Sequence, residues 1–368
     1  MLHTLRGGAA DETAGVAEHD AVYTRFIYRQ PARGRTITLD RHVVLVCSED
    51  LRHGVVADLE AELDAAAAQG YDAALEEQRA AWRGLWERCD VQIEGDDPAQ
   101  LGLRFCLYHL LAAAPRFTDR LSVPVKLLTG EYYQGTTFYD TDVYILPFYT
   151  FTLPELARTC LNYRYEGLRA GREIAQQLGV EGAKLAWQAG PRGEECLGRW
   201  WRFTHTNIHI NADVAYALQQ YYWATGDLRF MAERGIDLLV ETARFFATRA
   251  RHDAARDHYD LHDVAGPDEG HCESTNNFYT NYLARLNLRF AADMLAELAA
   301  RDPSAHAAAV RRIALRPGEP EKWRQVAARL TLLQDAKTGV YEQYAGFFQL
   351  PPAPPELLEQ RRVWFVTV

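Results

Sequence analysis

The chain has few cysteines, six in 368 residues, and none stands in a CxxC pair. Cys47, Cys89, Cys106, Cys160, Cys196 and Cys272 are scattered. They spell neither a disulfide framework nor a thiolate zinc site, and they read as reduced, mostly buried thiols of a cytoplasmic protein. No run reaches the roughly 18 apolar residues of a membrane span. The opening MLHTLRGGAADETAG lacks the basic-then-apolar order of a secretory signal. Positive charge is also short. Forty Lys and Arg against fifty Asp and Glu leave a formal charge of −10, which argues against nucleic acid and anionic membranes as partners. There is no GxSxG for a serine nucleophile, no HExxH and no Gly-Lys phosphate loop. His205 and His209 stand four apart, as do His258 and His262, so each pair could share a helix face. Neither has a third ligand at a set spacing, so these histidines read as hydrogen-bonding groups and no metal is expected.

What is present is ordinary globular material, 48% hydrophobic and 24% charged, enough for a sizeable core. The first fifteen residues are Gly/Ala-rich and polar and predict disorder. Val22 to Tyr28 and Arg35 to Cys47, rich in Val, Ile, Thr and Tyr, predict two neighbouring strands joined through the turn-like PARG. After Asp50 the character changes to Ala/Leu/Glu-rich helical spacing. Helices are predicted over Val55 to Gln69 and Ala74 to Cys89, with Trp82, Leu85 and Trp86 on one face. Another is predicted over Ala99 to Ala113, capped by Asp96 or Asp97 with Pro98 in the first turn. Further helices are predicted near Pro154 to Leu178, Ile208 to Ala224, Arg229 to Ala250, Asn276 to Ala300 and Glu319 to Leu333. The loops between them are long, where binding groups tend to sit.

Three of those loops carry candidate chemistry. Leu128 to Pro147, LTGEYYQGTTFYDTDVYILP, mixes Gly, aromatic and acidic residues. Aromatic faces pack on the C–H face of a pyranose and carboxylates accept its hydroxyls; a Gly-rich turn into an apolar element explains the composition equally well. Leu185 to Arg202 offers Trp187, Trp200 and Trp201 beside Gln188, Glu194 and Glu195. Any one of these Trp could simply staple the loop to the core. His262 to Tyr282, HDVAGPDEGHCESTNNFYTNY, is the sharpest. Gly266 and Pro267 enforce a turn that presents Asp268 and Glu269 just before a helix, whose N-cap lies in the Ser-Thr-Asn-Asn run. A carboxylic acid with a raised pKa on a rigid turn is what protonation of a glycosidic oxygen requires. GPDE alone, however, occurs in ordinary turns.

Taken in order, the segments resemble glycoside hydrolase family 65, the maltose and kojibiose phosphorylase family. GPDEGHCESTNNFYTN is similar to that family's GPDEYH…NN.YTN, and GEYYQGTTFYDTD to its G…GH.FWDTE. PFYTFTLPELARTCLNYRYEGLRAGREIA, WQAGPRGEE, HINADVAYALQQYYWATGD and YEQYAGFFQL resemble family segments in the same order, across nearly all of residues 75 to 350.

The resemblance implies a mainly α chain: a partial (α/α)6 toroid preceded by a helical linker and the last strands of an N-terminal β-sandwich. The divisions expected are a sandwich remnant at 1–49, the linker at 50–95 and the first part of the catalytic toroid at 96–368. It implies that Glu269 is the general acid and that Tyr139 and Asp140 grip the non-reducing glucose. Trp187, Gln188 and Asn277 are the further substrate-binding candidates. It implies an α-glucosyl disaccharide or glucoside as substrate and inorganic phosphate as co-substrate, with no other cofactor, and leaves room for a homodimer of the full-length protein. Phosphate would attack the anomeric carbon and β-glucose 1-phosphate would leave. Hydrolysis by the same fold and a non-catalytic carbohydrate-binding remnant are the alternatives. Thr136, Tyr139, Asp142 and Gly270 depart from the family's usual His, Trp, Glu and Tyr, so no particular disaccharide follows. The family's phosphate-holding Lys-Gln pair and Ser/His cluster are expected beyond Val368, so the chain reads as C-terminally truncated and inactive by itself.

Overall fold

The computed structural model describes residues 2–6, 12–18, 21–27, 34, 36–45, 58–130, 132–198 and 202–351. Contacts divide the chain into two compact units, residues 1–88 and 89–368.

In the first unit, β1 (Leu2–Arg6) pairs antiparallel with β4 (Thr38–His42), and β2 (Glu12–Glu18) with β3 (Ala21–Ile27). Two expectations are corrected here. The opening residues form strands instead of staying disordered, and the strand at Ala21–Ile27 takes β2, not the Arg35–Cys47 segment, as its partner. ETAGVAE is poor in β-branched and aromatic residues, so its strand is set by pairing with β3 in the register Glu18↔Ala21, a contact that local propensity does not report. The PARG turn lies mostly outside the described residues. Helix α1 (Leu59–Gln69) begins at Asp58, whose carboxylate accepts from the amides of Glu60 and Ala61 at 2.9 and 3.2 Å. Val55 to Ala57, expected in this helix, are not described. Helix α2 (Tyr71–Cys89) keeps Trp82, Leu85, Trp86 and Cys89 on its least exposed stripe, with the two indoles 6.0 Å apart.

The second unit is mainly α. Its longer helices are α3 (Asp97–Ala113), α4 (Leu146–Thr152), α5 (Pro154–Glu166), α6 (Leu168–Gln177), α7 (His209–Thr225), α8 (Ile236–Arg249), α9 (Phe278–Arg301), α10 (Pro303–Arg312) and α11 (Glu319–Arg329). The centre is α9, whose Leu283, Ala284, Leu288, Ala291, Met294 and Leu298 are buried among α7, α8, α10 and α11. Helix α7 in turn packs on α4 and α5, giving the paired layers of a partial (α/α) toroid. Asp96 caps α3 by accepting from Ala99 N at 2.9 Å, with Pro98 in the first turn.

The helix expected over Pro154 to Leu178 breaks at Gly167. A Cβ on Gly193 would lie 2.4 Å from the Gly167 Cα, so two backbones meet where no side chain fits and the 190–197 loop is seated on the α5–α6 junction. The helix expected over Arg229 to Ala250 is interrupted by a π turn at Met231–Gly235, and a second π turn, Thr141–Ile145, leads into α4. Helix α4 is the apolar element that follows the Gly-rich turn, and α10 was not anticipated although Asp302 and Pro303 open it with the cap and proline also read at α3. The cysteines are also less buried than expected. Cys89 and Cys160 are buried, Cys106 and Cys196 are exposed, and all five described cysteines are free thiols.

Candidate active site

Three loops converge on the N-terminal end of α7. Thr137 N donates to Ala189 O at 3.0 Å and Ala189 N to Thr137 O at 2.9 Å, joining the Thr136–Asp140 segment to the one that carries Trp187 and Gln188. Tyr139 and Trp187 stack at 5.5 Å and 22°. The His209 ring meets Tyr139 at 4.9 Å and Trp187 at 5.4 Å, both nearly edge-on. Trp187 is buried, whereas Tyr139 and Asp140 beside it are half-buried.

Two buried ion pairs hold this wall. Arg164 on α5 grips Asp142 in the π turn, Nη2 to Oδ2 at 2.5 Å and Nε to Oδ1 at 3.2 Å, and donates to Phe138 O at 3.1 Å. The Glu195 carboxylate accepts from the amides of Trp187 at 2.7 Å, Gln188 at 3.0 Å and Leu197 at 3.3 Å. Lys184 Nζ stands 3.9 Å from it, and burial lowers that ammonium to about 8 against the opposing pull of Glu195.

The loop with GPDE is pinched twice. Val264 and Ser274 exchange backbone hydrogen bonds at 3.0 Å each; below them Asn276 N donates to Leu261 O at 2.8 Å and Leu261 N to Asn276 Oδ1 at 3.1 Å. Asn277 caps α9, accepting from Thr280 N at 3.1 Å, and its amide lies against Gly266, where an added Cβ would come within 2.4 Å of Nδ2. The glycine therefore lets the turn sit directly on the helix cap.

At the tip, two adjacent carboxyls have opposite environments. Asp268 accepts from Gln343 Nε2 at 2.8 Å and Gly270 N at 3.2 Å, with His271 Nδ1 3.5 Å away, and these partners hold it below the usual carboxylate range. Glu269, though exposed as a residue, is pushed up by partial burial and by the negative charge of Asp140, against an opposing pull from His209. Asp140 is itself raised, mainly by burial. Burial thus favours the neutral form of Glu269, whereas hydrogen-bond donors favour the ionised form of Asp268. The split has a measurable sign. Glu269 is raised, so its contribution to folding is present below its unfolded pKa and lost as pH rises through the folded one; Glu269→Gln should cost no stability at pH 7. In an NMR titration Glu269 should protonate above Asp268, and Asp140→Asn should move the Glu269 midpoint down. An unmoved midpoint would disconnect the two carboxyls.

Residues 104–359 match the model of the glycosyl hydrolase family 65 central catalytic domain, and residues 1–85 match the family 65 N-terminal domain. The chain belongs to glycoside hydrolase family 65. It is 34% identical over 345 residues to a kojibiose phosphorylase of Caldanaerobacter subterraneus subsp. tengcongensis, covering 91% of this chain and 44% of that protein. It is 33% identical over 334 residues to a 1,2-alpha-glucosylglycerol phosphorylase of Bacillus selenitireducens, covering 88% and 43%. With an alpha,alpha-trehalose phosphorylase of Geobacillus stearothermophilus the figures are 38% over 267 residues, 72% and 34%. The solved structure "Putative kojibiose phosphorylase from human microbiome" superposes with a TM-score of 0.75 at 23% identity, over 92% of this chain and 46% of that one, which establishes the fold. The chain thus spans less than half the length of these relatives.

Of the residues singled out in the family 65 chain, Tyr139, Asp140, Trp187 and Glu269 fall within one aromatic and electrostatic neighbourhood. Gln188 borders it, its amide 3.4 Å from Tyr133 O. Asn277 lies under the acid loop as a buried cap. Trp200 and Trp201 lie outside the described residues. Sequence reasoning passed over Arg164, Lys184, Asp213 and Tyr279. Asp213 was findable, since it follows His209 by one helical turn; the bond between them, 2.6 Å, is the i,i+4 relation that had been sought between histidines. Asp142 departs from the family's Glu, and here it is the buried partner of Arg164. Among the described residues no three His, Cys, Asp or Glu gather into a metal-holding group, and no helix is long and apolar enough to cross a membrane.

Proposed function

We propose that this chain carries the glucosyl-gripping and proton-donating side of an inverting α-glucoside phosphorylase. The observation that carries the reading is the convergence of the Tyr139–Asp140 segment, stacked on Trp187, with Glu269 on the GPDE turn, where Asp268 is engaged by Gln343 and Gly270 and burial favours a neutral Glu269. In the proposed reaction the glucosyl ring lies against Tyr139 and hydrogen-bonds Asp140. Phosphate oxygen attacks the anomeric carbon from the face opposite the aglycone. The glycosidic C–O bond breaks, its electron pair stays on the departing oxygen, and Glu269 delivers the proton. The products are β-glucose 1-phosphate and the free acceptor. Burial and the Asp140 charge both favour the neutral carboxyl that this step needs. The relatives' names, kojibiose, nigerose, trehalose and glucosylglycerol phosphorylase, support an α-glucoside and phosphate as the ligands. Because the chain corresponds to 44% of the kojibiose phosphorylase, the proposal places the phosphate side in the unmatched length and expects binding without turnover.

The test incubates the chain with those four glucosides, with and without phosphate, and follows binding by calorimetry. Glucoside binding with neither glucose nor β-glucose 1-phosphate formed is the expected result. Phosphate-dependent β-glucose 1-phosphate would keep the reaction and overturn the placement of the phosphate side. Glucose release indifferent to phosphate would replace phosphorolysis by hydrolysis, and absence of any glucoside binding would end the reading.

A further inference from the structure

His209 is fully buried and unexplained by the reaction above. Its Nδ1 is 2.6 Å from Asp213 Oδ2, one turn along α7. Asp213 Oδ1 accepts from the Tyr279 hydroxyl at 2.8 Å, so both oxygens of a fully buried carboxylate are used. Tyr279 stands in the first turn of α9, the helix that follows the acid loop. The second nitrogen of His209, Nε2, has no hydrogen-bond partner among the described residues. Around the imidazole stand three perpendicular rings instead: Tyr139 at 4.9 Å and 89°, Trp187 at 5.4 Å and 77°, and Tyr279 at 5.5 Å and 86°. A buried polar nitrogen with no hydrogen-bond partner is a cost that a packed core rarely keeps without a compensating role. Edge-to-face contacts are the geometry in which such a ring orients its neighbours.

We infer that His209 is a positioning residue: clamped by Asp213 and Tyr279, it fixes the stacked Tyr139–Trp187 pair from behind and ties that wall to the helix carrying the acid loop. The Asp213 bond fixes the imidazole plane, because rotation about the Cβ–Cγ bond would break it. The fixed plane leaves Tyr139 and Trp187 one way to pack. Tyr139 is the half-buried member, so its orientation is what a sugar ring meets. The charged and titratable groups facing this cluster include Asp140 beside Tyr139, Tyr144 one turn further on, Glu269 on the acid loop, Asp213 and Tyr279. A rotation of the imidazole therefore disturbs the wall and the acid together.

The role as it bears on sugar binding rests on the proposed glucosyl site; the positioning itself does not. Two variants separate them. Tyr279→Phe removes one hydroxyl and keeps every ring, and His209→Phe keeps a ring of similar size and removes the Asp213 bond. Each is made in the chain labelled with 5-fluorotryptophan, with the Trp187 signal assigned by its loss in Trp187→Phe. Far-UV circular dichroism checks the fold, ¹⁹F NMR reads Trp187, and calorimetry reads methyl α-glucoside. Both variants are expected to keep wild-type helicity, displace the Trp187 signal and weaken the glucoside about tenfold. Should His209→Phe not fold, Tyr279→Phe decides. An unmoved Trp187 signal with affinity within twofold of wild type, in a folded variant, overturns the inference. If the wild type binds no glucoside, the glucosyl reading falls alone, and the Trp187 signal still decides, displaced in support or unmoved against.

Discussion

Arg164→Met should destabilise the second unit by about 3–5 kcal/mol, the usual cost of leaving one partner of a buried ion pair uncompensated. Arg164 and Asp142 are 3% and 2% exposed, and the contact is bidentate. Burial, with a lesser push from the Asp213 charge, raises the Asp142 carboxyl against the opposing pull of Arg164. Without the guanidinium, Asp142 must take up a proton or draw water into the core. The damage should not stop at stability, because the same guanidinium holds Phe138 O, one residue before Tyr139. The double variant Arg164→Met with Asp142→Leu removes both charges and should recover much of the loss, as apolar replacements of buried pairs do. Urea unfolding followed by tryptophan fluorescence measures both. A single-variant loss under about 1 kcal/mol would mean that the pair is not what holds the segment.

Glu195→Ala should be comparably severe, about 3–5 kcal/mol, because it strands the fully buried Lys184 and frees three backbone amides at once. Lys184→Met should be much milder, since Glu195 keeps its three amide donors and loses only a cation that burial already disfavours. The pH dependence follows from that lowered pKa. A base held below its unfolded value weakens folding while it is charged, so the chain should gain stability as pH rises from about 8 toward the unfolded lysine value, and Lys184→Met should abolish the gain. Thermal unfolding across that range reads both effects. Equal losses from the two variants would contradict the assignment of Glu195 as the anchor of Trp187 and Gln188.

How legible the molecule was in its sequence follows from the range of each interaction. The long helices dense in apolar residues, such as α7 and α9, lie within a few residues of their expected bounds, and Asn277 is the cap within the Ser-Thr-Asn-Asn run. The strands fail at pairing, because β1 finds β4 across more than thirty residues and nothing in LHTLR or TLDRH names the other. The break at Gly167 was invisible for the same reason: the backbone that packs against it lies twenty-six residues later, at Gly193. In the candidate site the residues that resemble a family motif were placed by that motif. Asp213 follows His209 by one helical turn and was locally legible, whereas the other supporting groups (Arg164, Glu195, Tyr279) act through contacts that no local pattern encodes. Glu195 was noticed only as one acid of a pair beside Trp187, and its three amide partners required the folded loop.

The central claim is that Tyr139, Asp140 and Glu269 form a glucosyl site in this chain, and calorimetric titration of methyl α-glucoside into wild type and Asp140→Ala tests it most directly. Asp140 is half-buried and burial already raises it, so a sugar hydroxyl is the partner that would repay its desolvation. The account predicts binding by the wild type, weakened in Asp140→Ala by about 1–3 kcal/mol, or roughly 5- to 150-fold, with the fold intact. Equal affinity in the two proteins would contradict it.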